Sequence, residues 1–96
     1  LQKLKNTMAN IRDLKKDINY VLGDIIEAVY LWELTNPKKE TKNSEAIIDE
    51  AINVFDELIA KINLKNVENS KQHFKGINQE LEEKGRILIA KINDLS

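Results

Sequence analysis

Hydrophobic residues in the first third of the chain repeat at intervals of three and four positions. The series is Leu1, Leu4, Met8, Ile11, Ile18, Leu22, Ile25, Val29 and Trp32, and Lys15 is its one polar interruption. This heptad pattern predicts a helix over residues 1–34 that packs along its length against other helices. Further apolar positions widen the stripe on both flanks, namely Leu14, Val21, Ala28 and Ile26. A stripe this wide predicts at least two partner helices.

The predicted length of this helix conflicts with a compact domain. A straight helix of this size is about 51 Å long, whereas a compact chain of 96 residues has a radius of gyration of about 12.5 Å. Either the bundle is elongated or the helix bends. Gly23 is where a bend would cost least, so a break between Tyr20 and Asp24 is the alternative to a continuous helix. Lys15, the polar residue on the seam, either extends its side chain past the seam to water or fixes the register in which the helices pack.

The rest of the chain predicts two more helices. Thr35-Asn36-Pro37 ends the first, because proline disfavours the helical conformation of the residue before it. The second helix starts at an Asn43 or Ser44 cap, ends near Asn63 and carries Ile47, Ile48, Ala51, Ile52, Phe55, Leu58, Ile59 and Ile62. A turn follows, with a continuous second helix as the alternative. The third helix runs from Val67 or Ser70 to Leu95 with Phe74, Ile77, Leu81, Leu88 and Ile92.

These elements predict an all-α fold, an elongated antiparallel three-helix bundle that becomes four helices if the first breaks near Gly23. We expect residues 1–96 to form a single domain, and, because the chain begins with Leu1, to be a piece of a longer one. Gly76 and Gly85 interrupt the third helix, which indicates either close approach of a neighbouring helix or a hinge.

Composition excludes several classes of protein. Charged residues are 32% of the chain and the net charge is −1, which argues against nucleic-acid binding because such proteins usually carry a basic excess. The chain has no Cys, so disulfides and thiolate metal sites are impossible. No apolar run approaches the roughly 18 residues of a membrane span, and no signal-peptide pattern is present.

Residues able to carry chemistry are few. The three serines lie at predicted helix or chain ends, where capping explains them, and His73 stands alone. We therefore expect no enzyme activity, no catalytic residue, no cofactor and no metal. Four acidic residues spaced by seven, Asp49, Glu50, Asp56 and Glu57, lie off the apolar stripe and indicate a solvated face, with a divalent-cation site as the alternative.

Charge is unevenly distributed along the chain. Residues 23–57 carry three basic and nine acidic side chains, whereas the segments before and after are net basic. The acidic second helix would then lie between more basic neighbours and guide helix pairing. The alternative is that Asp49, Glu50, Asp56 and Glu57 form an acidic docking face for a basic partner.

The end of the first helix is unusually apolar. Trp32 belongs to the seam, but Tyr30, Leu31 and Leu34 fall on the side expected to face water. Either the Pro37 loop folds back over them or they form a protein-binding surface, since exposed apolar patches containing Tyr and Trp are typical of interfaces. Tyr20 extends the same side.

These observations favour a non-enzymatic protein-protein interaction module that binds another protein. The alternative is a structural homo-oligomerisation unit driven by the heptad seam. The chain has thirteen Lys against two Arg, with many Ile and Asn, which is typical of an AT-rich microbial genome, and we expect a secreted or surface-attached parent protein. Small helical-hairpin substrates of type VII secretion offer a comparison, but their Trp-x-Gly turn is absent because Glu33 and Leu34 follow Trp32. We assign the chain to no family.

Overall fold

The computed structural model describes residues 2–64 and 68–95, with side chains described from residue 11 onward. Three helices make up the fold: α1 (Gln2–Thr35), α2 (Lys42–Ile62) and α3 (Ser70–Asn93). Each helix packs against the other two. The bundle measures 56 × 19 × 17 Å and its radius of gyration is 15.9 Å. This confirms the all-α, elongated three-helix bundle, and elongation resolves the conflict between helix length and domain size.

The first helix is continuous from Gln2 to Thr35, so the four-helix alternative is wrong. Gly23 is exposed, and a Cβ built on it has no neighbour within 4 Å. The glycine is tolerated because it lies on the outer side of the bundle, where packing neither requires nor forces a bend. Lys15 is exposed as well, which agrees with a side chain that extends past the seam to water. The predicted contacts of Leu1, Leu4 and Met8 lie outside the described side chains.

The core runs along the shared axis of the three helices. From α1 it takes Leu14, Ile18, Leu22, Ile25 and Val29; from α2 Ile47, Ile48, Ala51, Val54, Leu58 and Ile62; and from α3 Ile77, Leu81 and Leu88. Ile11, Val21, Ile26, Phe55, Ile59, Phe74, Ile92 and Leu95 pack around it. The predicted stripes are therefore confirmed in outline, but Ala28 and Ile52 are exposed. The width of the stripe in α1 matches its two partner helices.

The first helix ends as predicted before Pro37. The Thr35 hydroxyl donates to the Leu31 carbonyl at 3.0 Å, and the Asn36 amide nitrogen Nδ2 donates to the Trp32 carbonyl at 2.9 Å. These side chains satisfy carbonyls that have no partner further along the helix. A turn then follows, in which the Lys39 amide donates to the Asn36 carbonyl at 3.1 Å.

The start of α2 differs from the prediction, because the helix begins at Lys42 and Thr41 occupies the N-cap position without a side-chain capping bond. Ser44 is not a cap. It is fully buried in the first turn, and its Oγ donates to Oε2 of Glu33 at 2.5 Å while lying 2.9 Å from the Thr41 carbonyl oxygen. The hydroxyl therefore ties the end of α1 to the start of α2, and the Glu33 carboxylate lies where the dipole of α2 favours negative charge.

The other end of the bundle is joined in a similar way. The end of α2 is close to the prediction, with Asn63 as C-cap, and the N-cap of α3 is Asn69, whose side chain accepts from the Gln72 amide at 3.2 Å. His73 Nε2 lies 2.6 Å from the Lys61 carbonyl oxygen. Because a carbonyl can only accept, Nε2 carries the proton and donates it. α2 and α3 are therefore two separate helices, so the alternative of one continuous second helix is wrong. Residues 65–67 of the predicted turn lie outside the described residues.

The two glycines of α3 have different environments. A Cβ on Gly85 would lie 3.3 Å from Cγ1 of Val21, so Gly85 allows α1 and α3 to approach closely. A Cβ on Gly76 meets nothing within 4 Å. The close-approach explanation therefore holds for Gly85 and is wrong for Gly76.

Replacing the two glycines should have opposite effects. Gly76→Ala should raise the free energy of unfolding by about 0.5–1 kcal/mol, because alanine favours the helix and meets open space. Gly85→Leu should lower it by about 1–3 kcal/mol, because its first side-chain carbon already presses on Val21. Urea denaturation followed by circular dichroism measures both. Equal shifts of the same sign would contradict the close approach at Gly85.

The bond between Ser44 and Glu33 predicts a measurable contribution to stability. Ser44→Ala should lower the free energy of unfolding by about 1–2 kcal/mol, because it removes a charge-assisted hydrogen bond from a buried site. Thr41→Ala is the matched control, since the Thr41 hydroxyl contacts only the exposed Glu45 side chain at 3.2 Å. The control should change stability by less than about 0.5 kcal/mol. A larger loss in the Thr41 variant would mean that this residue does cap α2.

Candidate protein-binding surface

The apolar end of α1 stays open to solvent. The exposed fractions are 53% for Tyr30, 61% for Leu31 and 78% for Leu34. Trp32 is half-buried, as its place on the seam requires. The Pro37 loop therefore does not cover these side chains. Their exposure is not a sign of a deficient core, because Val29 in the same helical turn is completely buried.

Tyr20 belongs to the same outer side of α1. It is 60% exposed and precedes Leu31 by eleven residues, or about three helical turns. The two side chains therefore project in nearly the same direction, about 16 Å apart along the helix. Tyr30 and Leu34 lie further round the helix at its C-terminal end. Tyr20, Tyr30, Leu31 and Leu34 are the large apolar residues exposed on this side, with Asp24 and Glu27 between Tyr20 and Leu31, and we call the four the outer apolar surface.

A groove between α1 and α3 opens beside Tyr20. Its volume is 400 Å³, and it is lined by Asp17, Tyr20, Val21, Asn78, Leu81, Glu82, Gly85, Arg86 and Ile89. The missing side chain of Gly85 helps to create this space, and Ile89 on its rim is 48% exposed. The groove adds an apolar recess with charged edges to the outer apolar surface.

Sequence reasoning did not identify the groove. Gly85 was a signal of close helix approach, but a hydrophobic pattern does not show which two helices approach or what remains open beside them. Ile89 follows the core residue Leu88 by one position, about 100° round the helix, and is 48% exposed whereas Leu88 is 1% exposed. A second recess of 270 Å³ lies between α2 and α3, beside Glu50 and Lys91.

The structure separates the four acidic residues of α2. Glu50 is half-buried and its Oε2 lies 2.6 Å from Nζ of Lys91 on α3, whereas Asp49, Asp56 and Glu57 are exposed. Asp49 and Asp56 are two turns apart on one side of the helix, and Glu57 lies on the side of Glu50. Among the residues that the structure describes, no three His, Asp or Glu side chains are grouped closely enough to hold a metal ion.

Ion pairing between helices follows the charge pattern only in part. The bond between Lys91 and Glu50 joins basic α3 to acidic α2 as predicted. The second pair, Lys61 and Glu80 at 2.7 Å, has the opposite sense, with the base on α2 and the acid on α3. Both pairs are partly exposed, so each contributes little to stability. Within residues 11–64 and 68–95, no ion pair joins α1 to α2, and the charged group that links these helices is the Glu33 carboxylate hydrogen-bonded to Ser44.

Comparisons with protein-family models, with curated proteins and with solved structures find no match to this chain. In the described part of the chain, no helix combines the length and hydrophobicity that a membrane crossing needs. A functional conclusion therefore depends on the surface itself.

The outer apolar surface should contribute nothing to folding. Leu31→Glu and Leu34→Glu should each change the free energy of unfolding by less than about 0.5 kcal/mol, because both side chains face water and glutamate is a good helix former. Leu22→Glu, on the same helix but buried, should destabilise the chain by more than 4 kcal/mol or prevent folding, as roughly expected for a charge placed in a core. Thermal and urea unfolding measure the difference. A large loss in the Leu31 variant would show that this side chain is part of the core.

Proposed function

We propose that this chain is a non-enzymatic protein-binding module that engages another protein through the outer apolar surface. The observation that carries the proposal is the exposure of Leu31 and Leu34 on a helix whose core-facing residues between Leu14 and Val29 are buried. Exposed leucines beside two tyrosines are typical of protein interfaces, where aromatic and large apolar side chains supply most of the binding energy. Trp32, which is half-buried at the same end of α1, belongs to this proposed binding site.

The acidic side chains of α2 are a second element of this proposal. Asp49, Asp56 and Glu57 are exposed and could guide a basic partner to the module, while Glu50 is engaged by Lys91. Exposed charges of this kind mainly affect association rate and partner choice. The residue usage of an AT-rich genome supports a microbial source, and we extend the proposal to a secreted or surface-attached parent protein.

Homo-oligomerisation through the heptad seam is the competing function. The seam residues Ile18, Leu22 and Val29 are already covered within the chain, with exposed fractions of 0%, 1% and 0%. From Ile18 to Val29, within the described side chains, the seam is covered by α2 and α3 and offers no surface to a second copy. This favours a foreign partner on the outer apolar surface over self-association through the seam.

Solution mass distinguishes the two functions. A binding module should remain an 11.1 kDa monomer over about a hundredfold range of concentration, both in the wild type and in Leu31→Glu, because mass action would reveal any self-association. Light scattering coupled to size exclusion measures this. Ile52→Glu, which changes an exposed isoleucine on α2, is the matched control. A dimer that Leu31→Glu dissolves and Ile52→Glu leaves intact would refute the binding module and support self-assembly.

A further inference from the structure

A second heptad pattern runs along the outer side of α1, facing away from the core. Its positions alternate by four and three residues, and every one is exposed: Asp13, Asp17, Tyr20, Asp24, Glu27, Leu31 and Leu34. This spacing keeps the side chains on one side of the helix over about 32 Å. We call this set the outer stripe. Its spacing is the one that a docked helix can follow residue by residue.

The outer stripe has an acidic part and an apolar part. Four carboxylates occupy the stretch from Asp13 to Glu27, interrupted by Tyr20, and two leucines end it. Helix α1 carries no Lys or Arg after Lys16. Among the described side chains, the ion pairs are those of Lys61 with Glu80 and Lys91 with Glu50, so none of these four carboxylates forms an ion pair there, although Arg12 and Lys16 adjoin Asp13 and Asp17 in the sequence.

The groove next to the stripe has the same character. Asp17 on α1 and Glu82 on α3 border it together with one base, Arg86, and Ile89 and Tyr20 provide apolar rims. Arg86 Nε lies 3.5 Å from the Glu82 carbonyl oxygen, so the guanidinium stays close to its own helix. The groove therefore continues the apolar surface sideways and leaves an acidic excess around it.

We propose that the outer stripe is the docking site of a basic amphipathic helix from another protein. The proposal rests on the protein-binding function above and names the chemistry of its partner. A helix with the same three-four spacing places aliphatic or aromatic residues on Leu31 and Leu34 and one more in the groove beside Tyr20. Its Lys or Arg side chains reach the four carboxylates, none of which forms an ion pair with a described side chain of this protein.

The same charges disfavour a second copy of this chain as the occupant. A parallel copy would place each carboxylate against itself. An antiparallel copy would bring Asp24 next to its own counterpart near the two-fold axis and would set Asp17 among the apolar side chains near Leu31. Neither arrangement supplies a cation, and like charges in contact select against such a partner. A basic helix both supplies cations to the carboxylates and avoids contact between like charges.

Three synthetic peptides test the charge requirement. Each has about three heptads with the same leucine seam, and the positions flanking the seam are all Lys, all Gln or all Glu. Fluorescence anisotropy of the labelled peptides, at low nanomolar concentration, reports binding to the wild-type chain. The Lys peptide should bind at least about tenfold more tightly than the Glu peptide, with the Gln peptide between them. Raising NaCl from about 0.1 to about 1 M shortens the Debye length from about 10 to about 3 Å and should weaken the Lys peptide most.

Two matched charge variants locate the site. Asp17→Asn/Asp24→Asn/Glu27→Gln removes three of the four carboxylates of the outer stripe, and Asp49→Asn/Asp56→Asn/Glu57→Gln makes the same chemical changes on the acidic face of α2. The first triple variant should weaken the Lys peptide by roughly tenfold, since exposed charge pairs contribute modestly each. The second should change its affinity by less than about twofold. All six positions are exposed, so both variants should keep the wild-type helicity.

The outcomes separate this inference from the proposed function. Equal affinity for all three peptides, lost in Leu31→Glu, would refute the basic partner and leave the protein-binding function standing. Equal weakening by the two triple variants would show general attraction to an acidic protein and would refute the outer stripe as the site. Failure of all three peptides to bind would also refute it, while the solution-mass measurement decides the proposed function independently.

Discussion

Burial of one continuous seam on α1 is the interaction on which the rest of the structure depends. Within the described side chains its buried residues run from Leu14 to Val29, and the apolar stripe there is too wide for one neighbouring helix to cover. Both partners therefore lie along it, and the core takes the shape of a column. Because stability comes from this long contact and not from a compact centre, the bundle is elongated and every helix keeps one side in water.

Polar contacts at the two ends hold the helices in register. Glu33 and Ser44 connect α1 to α2 at one end, and His73 reaches the last turn of α2 at the other. Such contacts contribute modest free energy compared with the core, but they are directional, whereas apolar packing is not. The apolar stripes consist of similar residues, so packing alone would allow the helices to slide along one another. The polar contacts at the two ends fix one register. The position of the outer surface relative to the groove depends on this register.

The side of α1 that remains in water has a composition that folding does not require. Leucines and tyrosines there lower solubility without contributing to the core, and carboxylates that form no ion pair with any described side chain add repulsion along one helix. A partner with apolar and basic side chains removes both costs. This is the physical reason to regard the outer stripe as a binding surface. It also defines the partner by its chemistry, as a helix with apolar and basic side chains.

Several features were readable from the sequence alone. The three-four spacing of Ile18, Leu22, Ile25 and Val29 predicts a buried helix face because periodicity is a local property of the chain. Proline after Asn36 predicts the end of α1 for the same reason, and Tyr30, Leu31 and Leu34 could be identified as lying off the seam. Nothing local, however, states whether a loop covers them.

The tertiary structure alone decided the features that depend on distances between helices. The straight path of α1 through Gly23, the burial of Ser44 against Glu33, the close approach at Gly85 and the groove beside Tyr20 all depend on where a neighbouring helix lies. A glycine or a serine has the same sequence signature in a break, a cap or a packed interface, so its role is set only when the neighbour is in place. The sequence by itself therefore determined which faces of the helices are apolar, and the packing of the helices determined which of those faces remain available to a partner.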